Sequence, residues 1–167
     1  SENAPTQNIG EIAVHWPTRT LWVGTGENNA SRSSYAGIGM MKTTDNGDTW
    51  TLAGLEDSHH IGKILIHPED PNHVVVGVTG HLYSPNEERG VYITKDGGKT
   101  WKHTLYINNE TGVIDMATAR TTPSSTMITI TPRPAARENG RTMRRSRRAT
   151  SGVKVRSYTR TGRAVLS

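Results

Sequence analysis

The chain contains no cysteine, which excludes a disulfide framework and a thiolate-held metal centre. No stretch approaches the roughly 18 consecutive apolar residues of a membrane-spanning helix, and no signal peptide is visible. The chain also lacks an initiator methionine: Ser1 stands first. The expectation is a fragment of a longer protein, whose missing start would have carried any leader. Positive charge is scarce over most of the length. Up to Met116 there are 8 Lys plus Arg against 14 Asp plus Glu, a net of −6; from Ala117 onward the count is 12 against 1, a net of +11. The formal +5 of the 167 residues therefore belongs to the last third, and any case for nucleic-acid binding rests on that segment alone.

What the chain does have is a repeated phrase. Residues 43–50 read Thr-Thr-Asp-Asn-Gly-Asp-Thr-Trp and residues 94–101 read Thr-Lys-Asp-Gly-Gly-Lys-Thr-Trp. Thr43, Asp45, Gly47, Thr49 and Trp50 recur as Thr94, Asp96, Gly98, Thr100 and Trp101, a spacing suited to supersecondary units in a repeat architecture. Asp and Gly at the centre supply the side-chain-to-backbone hydrogen bond and the permissive φ of a tight turn. Thr and Trp on the flanks favour a pleated, half-buried surface. Each copy therefore reads as strand, turn, strand.

Superposing the two units gives four strands in each: 11–15, 21–25, 38–44 and 49–53, then 61–66, 74–79, 90–95 and 100–106. Pro17, Pro68, Pro71 and Asn72 mark turns between first and second strands. Each unit is expected to be a four-stranded antiparallel blade, with a third opening at 112–116. The fold class expected is all-β: a partial β-propeller of two blades and the start of another, followed by an irregular basic tail. The chain divides into a leader over 1–10, blades over 11–116 and the tail over 117–167. A propeller closes with about four to eight blades, so further blades are expected partners of this chain.

The phrase Thr-x-Asp-x-Gly-x-Thr-Trp resembles the Asp-box, or BNR repeat, of β-propellers in sialidases, some xyloglucan hydrolases, photosystem assembly factors and the sortilin-type receptor domain. Three neighbouring phrases narrow the likeness: Leu21-Trp22-Val23-Gly24-Thr25-Gly26-Glu27-Asn28-Asn29, Asp57-Ser58-His59-His60-Ile61-Gly62 and Gly80-His81-Leu82-Tyr83. Together they resemble bacterial sortilin-type propeller proteins, often labelled glycosyl hydrolases by similarity, over residues 11–116. The resemblance implies a secreted or periplasmic protein that binds a polypeptide or a glycan. The alternative it implies is a glycoside hydrolase acting on polysaccharide.

Strand parity separates the loops into two faces. The Asp-box turns fall on one side, and residues 27–34, 55–60 and 80–89 share the opposite rim. Loops longer than a hairpin needs, held on a rigid scaffold, are where binding groups concentrate. Glu27, Asn28, Asn29, His59, His60 and His81 are the candidate ligand contacts. A metal centre at His59, His60 and His81 is not favoured, because no dense ligand spacing supports it. No cofactor is expected. The glycines at 24 and 26 follow a strand without a helix behind them, so they do not form a phosphate cradle. Arg89 beside Glu87 and Glu88 reads as a solvated charge pair. Asp45 and Asp96 read as turn-locking residues rather than a hydrolytic carboxylate pair, and Trp50 and Trp101 as packing between sheets. Neither the arginine cluster, Tyr nucleophile and acid of sialidases nor the two distant aspartates of xyloglucan hydrolases is assembled in these residues, so no catalytic residue is assigned.

After Met116 the composition turns to Thr, Ser, Pro, Ala and Arg, and alternation fades apart from 127–131. Written as codons and read two bases into each preceding triplet, residues 119–126 permit Gly-Pro-Asp-Asn-Pro-Val-Val-Tyr, a turn and strand matching 67–75. A frameshift close to Ala117 is the expectation, and the coding sequence decides it: codons that give a blade in no other frame remove the idea. The rivals are a natural disordered tail and a phosphate-binding arm through Arg141, Arg144, Arg145, Arg147 and Arg148. A membrane partner is not expected, and nucleic acid is the least favoured partner.

Overall fold

The computed structural model describes residues 3–28, 34–122 and 125–134, with side chains described to residue 117. The described residues contain strands and two short 3-10 turns, with no α-helix. Two four-stranded antiparallel sheets and one two-stranded sheet make up the architecture. The first sheet is β1 (Ile9–His15), β2 (Thr20–Thr25), β3 (Met40–Thr43) and β4 (Thr51–Leu52), paired in that order. The second is β5 (Ile61–His67), β6 (Asp70–Val78), β7 (Gly90–Thr94) and β8 (Lys102–Leu105). β9 (Thr111–Thr122) and β10 (Ser125–Pro134) form the third. The result is all-β and β-propeller-like, with both expected four-stranded sheets present.

Backbone pairing extends beyond the expected limit at Met116. β9 runs on to Thr122 and returns as β10, with Met116 paired to Ile130 and Ala119 to Met127. Threonine-rich alternation suits a pleated strand whatever its origin, so the change of composition at residue 117 does not stop the ladder. β6 also starts earlier than expected and takes in Pro71 near its beginning, where a missing N–H is tolerated. The Pro71 carbonyl accepts the Trp22 indole N–H at 3.0 Å. Asn29 and the arginine-rich segment 141–148 lie outside the described residues.

Registers make the two sheets equivalent residue by residue. Ile12 pairs with Val23 as Ile64 pairs with Val76, and Val14 pairs with Leu21 as Ile66 pairs with Val74. The inner strands β1, β5 and β9 lie side by side, and Glu11 on β1 and Lys63 on β5 meet at 2.8 Å. The core between the sheets is built from Trp22, Met40, Ala53, Ile61, Ile64, Val74, Val76 and Val78. On its other face the second sheet uses Leu65, Val75, Val91 and Leu105 against Val113 and Met116 of β9. The second sheet is thus covered on both faces and the first on one. Ile12 is 54% exposed where its equivalent Ile64 is 3%.

The Asp-box turns fix this stacking. In the first, Asp45 accepts the Thr43 hydroxyl at 2.7 Å and the Thr49 N–H at 3.0 Å, and the Thr43 hydroxyl oxygen accepts the Gly47 N–H at 3.0 Å. In the second, Asp96 accepts the Thr94 hydroxyl at 2.8 Å and the Thr100 N–H at 3.0 Å, and Thr94 accepts the Gly98 N–H at 3.0 Å. Asn46 and Gly47, like Gly97 and Gly98, occupy positive φ, which explains the Asn-Gly and Gly-Gly pairs after each Asp. Gly98 has a second reason to be glycine: a Cβ there would come 2.8 Å from the Ala53 Cβ across the sheet interface. Trp101 then donates its indole N–H to the Ala53 carbonyl at 2.7 Å and meets Trp22 edge-on, centroids 6.4 Å apart. Trp50 is half-buried over its own turn, beside Gly47.

Candidate functional site

The loops β2–β3, β4–β5, β6–β7 and β8–β9 emerge at the end of the sheets away from the Asp-box turns, as the antiparallel order requires. Three of them are tied together at the junction of the first two sheets. The first is closed on itself: the Glu27 N–H donates to the Tyr35 carbonyl at 3.0 Å, and the Tyr35 N–H donates to the Glu27 carboxylate at 3.2 Å. It is tied to the second by the Gly37 N–H, which donates to the His59 carbonyl at 2.7 Å. It is tied to the β6 end by Thr79, whose hydroxyl donates to Asn28 Oδ1 at 3.1 Å. Glu27 and Asn28 therefore spend at least one polar atom each on holding the rim.

The histidines form the centre. A short 3-10 turn (Glu56–Ser58) ends at His59, which takes a positive φ of 55°. This reversal sends His59 outward and His60 inward, so neither follows the alternation of a strand. His59 stacks on His81 with ring centroids 3.5 Å apart and planes 15° from parallel. The two imidazoles present faces to one another rather than converging lone pairs. Among the described residues no group of three or more His, Asp or Glu side chains is placed to hold a metal ion.

His60 is 3% exposed and lies edge-on to His59, 6.2 Å away. Its Nδ1 has no hydrogen-bond partner. Burial, and next the proximity of His81, hold the His59 pKa below the ordinary histidine value. Burial, with His59 beside it, does the same for His60. Both rings are neutral at pH 7 and can accept or donate one hydrogen bond each.

Arg89 corrects the expectation of a solvated pair with Glu87 and Glu88. It is 4% exposed. Its guanidinium donates to the Thr79 carbonyl at 2.8 Å, to the Ser84 carbonyl at 3.1 Å and to the His81 carbonyl. This clamp shapes the β6–β7 loop and sets His81 against His59. The fork geometry of arginine suits several carbonyls at once, and no local pattern of residues announces it because all three acceptors are backbone atoms.

Sequence reasoning also passed over Ser58, whose buried hydroxyl has no partner, and the exposed rings of Tyr35 and Tyr83. Both tyrosines sit on the same rim in successive sheets. An open groove of about 500 Å³ is lined by Gln7, Ile9, Gly10, Glu27 and Asn28. Asp45 and Asp96 lie at the other end, each bound by its own threonines. Hydrogen bonds hold both carboxyls well below the usual range, the reverse of what a general acid needs. No protein-family model and no curated protein matches the chain.

Proposed function

We propose that the chain is part of an Asp-box, sortilin-type β-propeller that binds a polypeptide or glycan on its loop-rich rim, in a secreted or periplasmic setting. The observation that carries this reading is the contact between loops of two successive sheets: His59 stacked on His81, next to a buried His60. Such a junction offers a fixed set of polar groups at a boundary between units, with exposed aromatic rings on the same rim. Both Asp-box turns support the repeat assignment through the same four-residue hydrogen-bond pattern. The set contains stacked neutral imidazoles and no activated nucleophile, which favours recognition over hydrolysis.

The test is to titrate the full chain with peptide and oligosaccharide panels. The same panels are then run on His81→Ala and Tyr83→Ala, with Trp16→Ala on the Asp-box side as control. Saturable binding that weakens at least fivefold in the two rim variants and is unchanged in the control supports the reading. Binding that responds only to Trp16→Ala, or turnover of an oligosaccharide, contradicts it.

A further inference from the structure

The outward face of the first sheet has no neighbouring sheet among the described residues, yet its middle is buried. Ile12 on β1 pairs with Val23 on β2, Val23 with Met41 on β3, and Met41 with Leu52 on β4, so these four side chains share that face. The ends of the row are open, with Ile12 and Leu52 each 54% exposed, but Val23 is 3% and Met41 1% exposed. Neither belongs to the core between the first two sheets, which takes Trp22 and Met40 instead. In the second sheet the equivalent of Val23 is Val76, buried by packing against the first sheet. Val23 and Met41 need another cover.

Residues 3–8 supply it. Their ends are tied to opposite ends of the sheet. At the rim the Gly26 N–H donates to the Asn8 carbonyl at 2.8 Å, and the Asn8 side-chain amide donates to the Ala36 carbonyl at 3.4 Å. At the Asp-box end the Asn3 side-chain amide donates to the Asp48 carbonyl at 3.3 Å. A chain that joins the rim end of β1 to the turn between β3 and β4 has to cross β2 and β3, and the second sheet fills the inner side. The segment therefore crosses outside, over Val23 and Met41. Exposure alternates along it: Asn3, Pro5 and Gln7 are exposed, while Ala4, Thr6 and Asn8 are half-buried, the pattern of an extended segment laid on a surface.

The hold is weak between the two ends. Among the described residues, Ala4, Pro5, Thr6 and Gln7 form no hydrogen bond with the sheet; the Thr6 hydroxyl accepts the Asn8 N–H at 3.2 Å, within the segment. The two side-chain anchors are exposed to water. Few apolar contacts and solvent-exposed hydrogen bonds mark a segment that opens while the rest stays folded.

We propose that residues 3–8 form a displaceable strap, which closes the outward face of the first sheet and has to lift before another sheet can stack there. A sheet placed on this face, as the second is placed on the first, would need the space the strap fills. The strap does not depend on the rim as a binding face. When it lifts, Met41 becomes reachable, while Met40 on the same strand stays in the core.

The experiment is oxidation of the full chain by hydrogen peroxide, with methionine sulfoxide at residues 40 and 41 resolved by fragment-ion mass spectrometry. The two methionines are adjacent and equally enclosed, at 0% and 1% exposure, so burial alone gives them equal rates. The rates are measured on the parent, on Asn3→Ala with Asn8→Ala, which removes both side-chain anchors, and on Asn109→Ala as control, an exposed residue of the β8–β9 loop. The expected result is oxidation of Met41 about fivefold faster than Met40 in the parent, and about fivefold faster again in the anchor variant. Met40 stays within about twofold throughout, and Asn109→Ala matches the parent. Equal rates for the two methionines in the parent overturn the proposal. A Met41 rate unchanged by loss of the anchors also overturns it, because the cover is then another part of the chain. A parallel rise of both methionines in the anchor variant means that exposure comes from global unfolding, and removes the strap.

Discussion

At the scale of single residues, the molecule depends on a few side chains that hold a turn or loop through several hydrogen bonds at once. Asp96 is one: it receives the Thr94 hydroxyl, the Thr100 N–H and, at 2.6 Å, the Thr100 hydroxyl. Those bonds favour the carboxylate, first through the Thr100 hydroxyl, and hold its pKa below the ordinary value. A carboxyl whose pKa is lower in the folded than in the unfolded chain stabilises the fold fully above about pH 4 and progressively less as pH falls. Asp96→Ala should therefore lower the melting temperature by roughly 5 °C at pH 7, and the gap from the parent should narrow between pH 4 and pH 2. Thermal melts by circular dichroism across that range check it; a gap independent of pH contradicts the carboxylate account. The role of Asp96 was legible from the residue itself, since an Asp two residues before a glycine and four before a threonine has those donors within reach. The burial of His60 was not, because it follows from the positive φ at His59, which no local residue preference demands.

At the scale of elements, the loops are held harder than their length suggests. The β6–β7 loop is longer than a hairpin connection, yet Arg89 ties its start, middle and end together from inside. Arg89→Lys keeps the charge and loses the planar fork, so it should destabilise the chain by about 2 kcal/mol. It should also speed amide exchange over residues 80–89, with the strands little changed. Urea unfolding and hydrogen exchange measure the two effects; a loss spread evenly over the chain would contradict a local clamp. Strands were read from alternation and turn chemistry, and all eight of the first two sheets occur with ends shifted by a few residues. β4 and β8 both start one residue after the Asp-box tryptophan, because the Asp-box bonds hold the chain out of the ladder up to that point, and β4 is the shorter at two residues. β10 was legible only as residues 127–131, because proline and arginine at its end mask the pairing that the neighbouring strand imposes. Glu27 and Asn28 were singled out as candidate ligand contacts, and both also brace the loops. Their partners, Tyr35 and Thr79, come from distant sequence and carry no pattern to announce the pairing.

At the scale of the whole molecule, two equivalent sheets stack in one direction, which leaves the loop rim continuous across them and one face of the first sheet open. Ile9, Ile12 and Val14 on that face match Ile61, Ile64 and Ile66, which are packed against the first sheet. Repeat spacing made this equivalence legible in the sequence, because the Asp-box phrases set the register. Which face would lack a neighbour was legible only as the expectation of further blades. An open apolar face of this kind invites pairing with another sheet. The stabilising value of equivalent isoleucines should then differ by position: deleting a buried side chain costs about 2–5 kcal/mol, and deleting an exposed one about 0.5 kcal/mol or less. The most direct measurement is the unfolding free energy of Ile64→Ala beside that of Ile12→Ala, from urea titration of the same chain. Stacked, equivalent sheets with one open face predict a loss of about 3 kcal/mol for Ile64→Ala and under about 0.5 kcal/mol for Ile12→Ala. Equal losses at the two positions would contradict the stack on which the rim depends.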